Sequence, residues 1–178
     1  MKAARKTIPR IFTVLFALAA ALTMDTAERA LADEARSIAF LAVQFHNDNE
    51  MYEPTSEAER TRLKKIEDIF SRELEGSGRF RFVEVGADLK ARIAGGQQLG
   101  ECGGCEFSYG KEVGSQLVAW INVQKVSNLI LNMNVYLADV EAGRLIFVKS
   151  ADMRNNTDES WTRTINYIVQ DYLLPAAF

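Results

Sequence analysis

The sequence of 178 residues is poor in the side chains that most often perform catalysis or bind metals. It has one histidine, His46, and two cysteines, Cys102 and Cys105. A zinc site normally takes four ligands of the Cys, His or carboxylate type, so this cysteine pair lacks partners for one. No serine or cysteine nucleophile stands in an elbow-type motif. We therefore expect no catalytic constellation, metal centre or cofactor, and we interpret His46 as a surface or capping residue.

An excess of positive charge is also absent. The chain has 21 lysines and arginines against 24 aspartates and glutamates, a net charge of −3. Residues 1–32 carry five of the basic and two of the acidic residues, so without them the net charge is −6. A nucleic-acid or anionic-membrane partner requires a concentrated basic face. We expect neither as a partner.

The one long apolar run lies near the N-terminus. Four basic residues among the first ten precede the run 11–22, and the small-x-small triplet "ALA" at 30–32 follows it. This order is typical of a cleaved secretory signal peptide. Twelve helical residues at about 1.5 Å each are too short for a hydrocarbon core of about 30 Å. We predict a signal peptide at 1–32 cut after Ala32, a periplasmic or secreted location without a stable membrane anchor, and one domain over 33–178.

The two cysteines are separated by Gly103 and Gly104 in the stretch "ECGGCEF". Haem attachment requires a histidine directly after the second cysteine, and Glu106 stands there. A thioredoxin-like pair directly follows a strand, whereas this pair follows a glycine-rich loop. In an oxidising compartment two cysteines without other partners tend to pair. We predict a structural disulfide between Cys102 and Cys105, with thiol oxidoreductase chemistry as an alternative.

Apolar spacing predicts the remaining elements. Five segments have the length and apolar content of strands, and two have the apolar stripe of an amphipathic helix. The strands are predicted at 37–45, 79–85, 117–126, 129–139 and 144–153. The helices are predicted to begin at the N-caps Ser56 and Asn156. The fold class is therefore α/β in the α+β sense, a mixed sheet of about five strands with an antiparallel three-stranded C-terminal meander and helices packed on one face.

The meander has two faces of different character. Alternation directs leucine, isoleucine, valine and methionine side chains toward the helices. The opposite face carries uncharged amide and aromatic side chains: Trp120, Asn122, Gln124, Asn132, Asn134 and Tyr136. An outer sheet face is often simply solvated. Two aromatic residues on an uncharged face also suit recognition, so we predict a partner or ligand face here.

Two stretches resemble known families. The stretch "SRELEGSGRFRFVEV" resembles the "DL-x-x-S-G-x-F" segment of the TolB N-terminal domain and the related CsgG-like fold. The span 113–161 is similar to an uncharacterised family of bacterial secreted proteins through two motifs, "VQKVSNLIL" and "NTDESW". The resemblance implies a secreted TolB-N-like α/β domain of no established activity. The lipidated N-terminal cysteine and long hairpins of the secretion-pore relatives are missing, so we expect no pore.

These observations predict a function by contact with other molecules, because no catalytic constellation is recognisable. The leading interpretation is a non-catalytic periplasmic accessory protein that acts through protein–protein contacts with an unidentified periplasmic protein. The alternative is a periplasmic small-ligand-binding protein, which requires a true pocket. A CxxC thiol oxidoreductase is a further alternative.

Overall fold

The structure, a computed structural model, describes residues 35–178. Its strands are β1 (Arg36–Asn47), β2 (Phe80–Phe82), β3 (Leu117–Ser127), β4 (Ile130–Asp139) and β5 (Arg144–Arg154). Its α-helices are α1 (Glu57–Gly76), α2 (Ala87–Gly95), α3 (Cys105–Glu112) and α4 (Asp158–Ile168), the last continued by a π-helical turn (Val169–Leu173). Within 35–178 no helix has the length and hydropathy needed to cross a bilayer. The predicted signal peptide lies outside the described residues and stays a prediction.

The five strands form one mixed sheet in the order β2-β1-β3-β4-β5. Strand β1 runs parallel to both β2 and β3, whereas β3, β4 and β5 form an antiparallel meander. The predicted α+β class, the mixed five-stranded sheet and the C-terminal meander are confirmed. The second strand is shorter than predicted and keeps only three residues.

The main core lies between the sheet and the two amphipathic helices. Helices α1 and α4 contribute Ile66, Phe70, Trp161 and Ile165, which are all buried. The inward-pointing residues of the meander meet them as predicted: Leu117, Ala119, Ile121, Val123, Leu131, Met133, Val135 and Leu137. Burial of this alternating apolar set fixes the register of the meander, because a slip of one residue would expose it.

The opposite face of the sheet is also covered, which the prediction of helices on one face did not include. Helices α2 and α3 pack there over a second core, to which α2 contributes Leu89 and Ile93. These helices are nine and eight residues long. Each offers too few apolar positions to define a stripe in the sequence, so their side of the sheet could not be read from periodicity.

Helix α3 reaches the sheet closely because it presents Gly110 to it. A Cβ at this position would lie 2.5 Å from Cγ2 of Val140 and 2.7 Å from Cγ1 of Val118. Contacts this short do not occur between carbon atoms, so a side chain here would push the helix away. The glycine thereby lets the C-terminal half of α3 lie directly on Val118 and Val140.

The helix starts differ in how well the sequence predicted them. Ser56 caps α1 as predicted, since its Oγ accepts from the Glu59 amide at 3.2 Å and the Glu59 carboxylate accepts from the Ser56 amide at 2.7 Å. Helix α4 is capped by Thr157, which accepts from the Ser160 amide at 3.3 Å. The predicted N-cap Asn156 is therefore wrong by one residue, because its side chain serves a buried network instead.

Candidate functional site: a polar cleft and an apolar tip

The cysteine pair ends a loop that crosses the second face of the sheet. Cys102 and Cys105 form a disulfide with a Cα–Cα distance of 5.6 Å, and α3 begins at Cys105. Glu106 follows with its carboxylate near both sulfurs, so within 35–178 these three residues are the one cluster with metal-ligand spacing. Metal binding by cysteine requires the thiolate. Sulfurs bonded to each other do not provide it.

Side-chain amides of the sheet hold this loop, residues 96–104, in place. Oε1 of Gln44 accepts from the Leu99 amide at 2.8 Å, and Nδ2 of Asn122 donates to the Leu99 carbonyl at 3.2 Å. The next amide, of Gly100, donates to the buried Glu106 carboxylate. The loop is therefore tied both to the sheet and to the first turn of α3.

Trp120 lies beneath this loop and not on an open surface. Its side chain is buried at 2% exposure, and its ring stacks on Tyr136 with centroids 4.9 Å apart and planes inclined by 7°. Gly100 sits above it, with φ +91°, where a Cβ would lie 3.7 Å from the indole Nε1. Trp120, one of the six residues of the predicted partner or ligand face, is therefore covered by the 96–104 loop. Its ring supports Tyr136 from behind.

Four other members of the predicted face line an open cleft of about 590 Å³ between the loop and the sheet. The lining residues are Gln44, Phe45, His46, Gly96, Gln98, Glu101, Asn122, Val123, Gln124, Asn134 and Tyr136. Strand register explains the arrangement. Gln44, Asn122 and Asn134 are paired across β1, β3 and β4, so their amides form one row across the sheet.

Asn132, the sixth member of the predicted face, lies beside the cleft and not in its lining. Its Nδ2 donates to Ser150 Oγ and to Asp152 Oδ1, both at 2.9 Å. Its Oδ1 accepts from Nδ2 of Asn134 at 2.6 Å. Asn132 therefore orients a cleft residue and links the cleft to strand β5.

The cleft carries little charge. Glu101 is its one carboxylate, and His46 is 67% exposed with Nε2 lying 3.2 Å from Oδ1 of Asp48, which agrees with the prediction of a surface histidine. Burial, together with the nearby Glu101 carboxylate, raises the pKa of Tyr136. Its hydroxyl therefore stays protonated at neutral pH and can both donate and accept.

The second surface, which the sequence did not predict, is an exposed apolar patch at one end of the sheet. We call it the tip patch, and its members are Met51, Tyr52, Val126, Leu129 and Ile130. They come from the loop after β1 and from the joint between β3 and β4. Nδ2 of Asn49 donates to the Val126 carbonyl at 2.6 Å, which brings the two segments together. An apolar pair in an otherwise polar loop, "MY" at 51–52, was the available signal.

A buried ion pair supports the tip patch. The Lys125 side chain is 1% exposed, and its Nζ lies 2.8 Å from Glu59 Oε1 and 3.1 Å from Glu53 Oε1. Burial opposes ionisation of Glu59, but hydrogen bonds from Lys125 and Ser56 outweigh it and lower the pKa of Glu59 to about 2. Burial also opposes the positive charge of Lys125. The hydrogen bonds that Lys125 donates to Glu59 and Glu53 outweigh this effect, so the pKa of Lys125 is raised. Both groups are ionised at neutral pH.

Asn156 completes this network. Its Nδ2 donates to Glu59 Oε1 at 2.7 Å and to Asn128 Oδ1 at 2.9 Å. Its Oδ1 accepts from Trp161 Nε1 at 2.9 Å and from Arg62 at 3.1 Å. The two motifs "VQKVSNLIL" and "NTDESW" therefore meet in space, directly below the tip patch.

The structure is thus an α+β domain with a polar cleft on one face of the sheet and exposed apolar side chains at one end. The chain belongs to DUF3280, a family described as "Protein of unknown function (DUF2380)", whose model matches residues 36–173. This confirms the resemblance to an uncharacterised family. No curated protein is significantly similar to the chain in sequence.

Solved structures share the fold at low sequence identity. The PelC dodecamer from Paraburkholderia phytofirmans has 13% identity and a TM-score of 0.50, over 82% of this chain and 91% of that one. The LpoB C-terminal domain from Salmonella enterica has 15% identity and a TM-score of 0.46, over 68% and 84%. TolB from Acinetobacter baumannii has 19% identity and a TM-score of 0.43, over 78% of this chain and 28% of that one. Likeness at this level extends to the fold alone, and the resemblance to TolB and to CsgG stays a prediction.

Proposed function

We propose that the protein is a non-catalytic accessory protein of the bacterial periplasm that acts by binding another protein through its tip patch. The observation that carries the proposal is the exposure of large apolar side chains on a rigid base. Met51 and Tyr52 are 86% and 87% exposed, and Leu129 and Ile130 exceed half exposure. Contiguous exposed apolar side chains of this kind mark interaction sites in soluble proteins.

The charge around the tip patch favours a protein over a lipid surface. The loop 47–56 contains Asp48, Glu50 and Glu53 and no basic residue, whereas the exposed Arg154 is paired with Ile130 on the other side of the patch. A hydrogen bond from Thr55 lowers the pKa of Glu50, so this carboxylate is ionised at neutral pH. Anionic bilayers attract basic segments and repel acidic ones. The fitting partner is a protein with an apolar centre and basic side chains that face the loop 47–56.

The network below the patch gives it a fixed shape. Lys125 and Asn156 link the loop after β1, the joint between β3 and β4, and the starts of α1 and α4. A surface fixed before binding loses less conformational freedom when the complex forms. The tip patch is therefore suited to binding in the shape it already has.

The test is photocrosslinking in cells that make the full chain. A benzoyl-phenylalanine is placed at Leu129 in the tip patch or, as the control, at Lys90 on the exposed side of α2. We expect an adduct with one defined protein from position 129 and not from position 90. Adding Tyr52→Ser and Ile130→Ser should reduce its yield at least about tenfold, since central apolar contacts dominate interfaces.

The control for these substitutions is Tyr167→Ser, an exposed tyrosine on α4. It should leave the adduct unchanged, and none of these surface changes should alter the free energy of unfolding by more than about 0.5 kcal/mol. Equal adducts from both positions, an adduct with lipid, or an adduct only between two copies of this chain would each contradict the proposal.

A further inference from the structure

The cleft on the second face has the size of a ligand site but an unusual lining. Its volume of about 590 Å³ falls within the range of about 300–1,000 Å³ typical of small-molecule sites. No lysine or arginine lines it, and Glu101 is its one carboxylate. An anionic ligand would meet no cation there, and a metal ion would find too few ligands. The lining therefore disfavours an anion and a metal ion, and its amides fit a neutral polar ligand.

The amides of the cleft retain unused hydrogen-bonding capacity. A primary amide has two donor hydrogens and two acceptor lone pairs. The Gln44 side chain accepts one bond from Leu99, and the Asn122 side chain donates one to it. The Asn122 Oδ1 is buried and does not face the cleft, so the remaining capacity lies with the other amides of the lining. Paired donors and acceptors of this kind match vicinal hydroxyl groups, each of which donates and accepts.

The aromatic pair supplies a rigid wall. Tyr136 lines the cleft, and the buried Trp120 ring fixes it from behind in a stacked arrangement. A tyrosine held in this way offers an apolar ring face and a polar hydroxyl at one position. Such a surface suits a ligand with one C–H face and a hydroxylated rim.

The strands below the cleft differ in how far their edges are paired. Strands β3 and β4, which carry Asn122 and Asn134, are paired on both sides. Strand β1 pairs with β2 only over residues 36–38, so its edge beside Gln44 is open. An extended peptide binds most often by adding a strand to an open sheet edge, so a peptide is the competing ligand that the experiment must test.

We infer that the cleft binds a small neutral saccharide, with the amides of Gln44, Gln98 and Asn134 bonding its hydroxyls and Tyr136 packing against its ring. The site is separate from the tip patch, so this inference does not depend on the proposed protein contact.

The experiment titrates the protein, purified after expression of the full chain, with glucose, galactose, N-acetylglucosamine, maltose and cellobiose. Side-chain amide NMR signals and tryptophan fluorescence report binding. We expect saturable shifts of the cleft amides with at least one of these sugars. Gln98→Ala should weaken that binding about fivefold, as expected for the loss of one neutral hydrogen bond. Gln97→Ala, the exposed neighbour outside the lining, should leave it unchanged.

Three further ligands separate the alternatives. Glucose 6-phosphate and glucosamine should bind no more tightly than glucose, and trialanine should not bind. The inference is overturned if no sugar of the panel gives a saturable shift, if a charged sugar binds more tightly, or if trialanine binds instead. Equal effects of Gln97→Ala and Gln98→Ala would also overturn it.

Discussion

The network below the tip patch and the cleft both bury polar side chains against the same sheet, but they differ in how completely these are bonded. Asn156 uses both donors and both acceptor positions of its amide, and Lys125 contacts two carboxylates. At the cleft, Trp120 Nε1 and Asn122 Oδ1 are buried without partners in the part of the chain that the structure describes. We call the network below the tip patch closed, because its polar groups are bonded to one another, and the one at the cleft open, because some of its polar groups have no partner.

The difference in bonding affects how rigidly each region is held. A fully bonded network in a low-dielectric interior is rigid and specifies one arrangement. A buried polar group without a partner costs free energy, of the order of 1–3 kcal/mol. The tip patch therefore gains its fixed shape from groups that lie below it. The polar groups at the cleft, in contrast, are not all bonded within the domain.

The largest effect is expected from breaking the closed network. Lys125→Met removes the buried cation, nearly preserves its volume, and leaves the Glu59 carboxylate buried without its partner. Removal of one member of a buried ion pair typically costs about 3–5 kcal/mol. We expect a loss of this size in the free energy of unfolding, measured by urea denaturation at pH 7.

The matched comparison is the double variant Lys125→Met with Glu59→Gln. It removes both charges, so it should recover a part of the loss, since the remaining amide is cheaper to bury than a carboxylate. A loss below about 1 kcal/mol in the single variant would show that the pair is not buried as described. The network below the tip patch would then not be a buried and fully bonded one.

Protonation of Glu59 at low pH should weaken the same network. The pKa of Glu59 in the folded state is about 2, below its unfolded value of 4.5, so its contribution is present above about pH 4.5 and is lost as the pH falls toward 2. A difference of this size corresponds to about 3 kcal/mol. Urea denaturation between pH 7 and pH 2 should show this decline. It should be smaller in Glu59→Gln, because the amide does not titrate.

Glu57→Gln is the control, since Glu57 lies in the same helical turn with its side chain 83% exposed. It should keep the pH dependence of the natural protein. If Glu57→Gln and Glu59→Gln changed the profile equally, the acid sensitivity would come from overall charge and not from the buried pair.

Local patterns predicted the elements, and long-range contacts explain what they missed. The alternation in β3 and β4 and the capping box at Ser56 depend on neighbours in sequence, and both are confirmed. The network joins Glu59, Lys125 and Asn156, which lie far apart in the chain. One signal was present: Lys125 continues the inward positions 117, 119, 121 and 123 of β3. A charge at such a position implies a buried partner.

The cleft was predictable as a set of residues but not as a shape. Four of the six residues of the predicted face line it, because strand alternation places them on one side. The loop 96–104 that forms its other wall has no periodic pattern, and it also covers Trp120. Loop paths depend on individual bonds such as those of Leu99. The spacing of residue types in the sequence does not predict such bonds.

The smallest effect on stability is expected from removal of the disulfide beside the cleft. Replacing Cys102 and Cys105 together by serine removes a bridge that closes a ring of only four residues. So short a ring constrains the unfolded chain little, so the free energy of unfolding should fall by less than about 2 kcal/mol.

The local effect should nevertheless be clear. The loop amides of Leu99 and Gly100 are held by Gln44 and by Glu106, whose helix begins at the bridge. Hydrogen exchange of residues 96–104 should therefore speed up in the serine variant, while exchange at the joint of β3 and β4 stays unchanged. Equal acceleration in both segments would mean that the bridge stabilises the whole domain. Unchanged exchange in the loop would mean that its side-chain bonds suffice to shape the cleft, and that the bridge has no part in it.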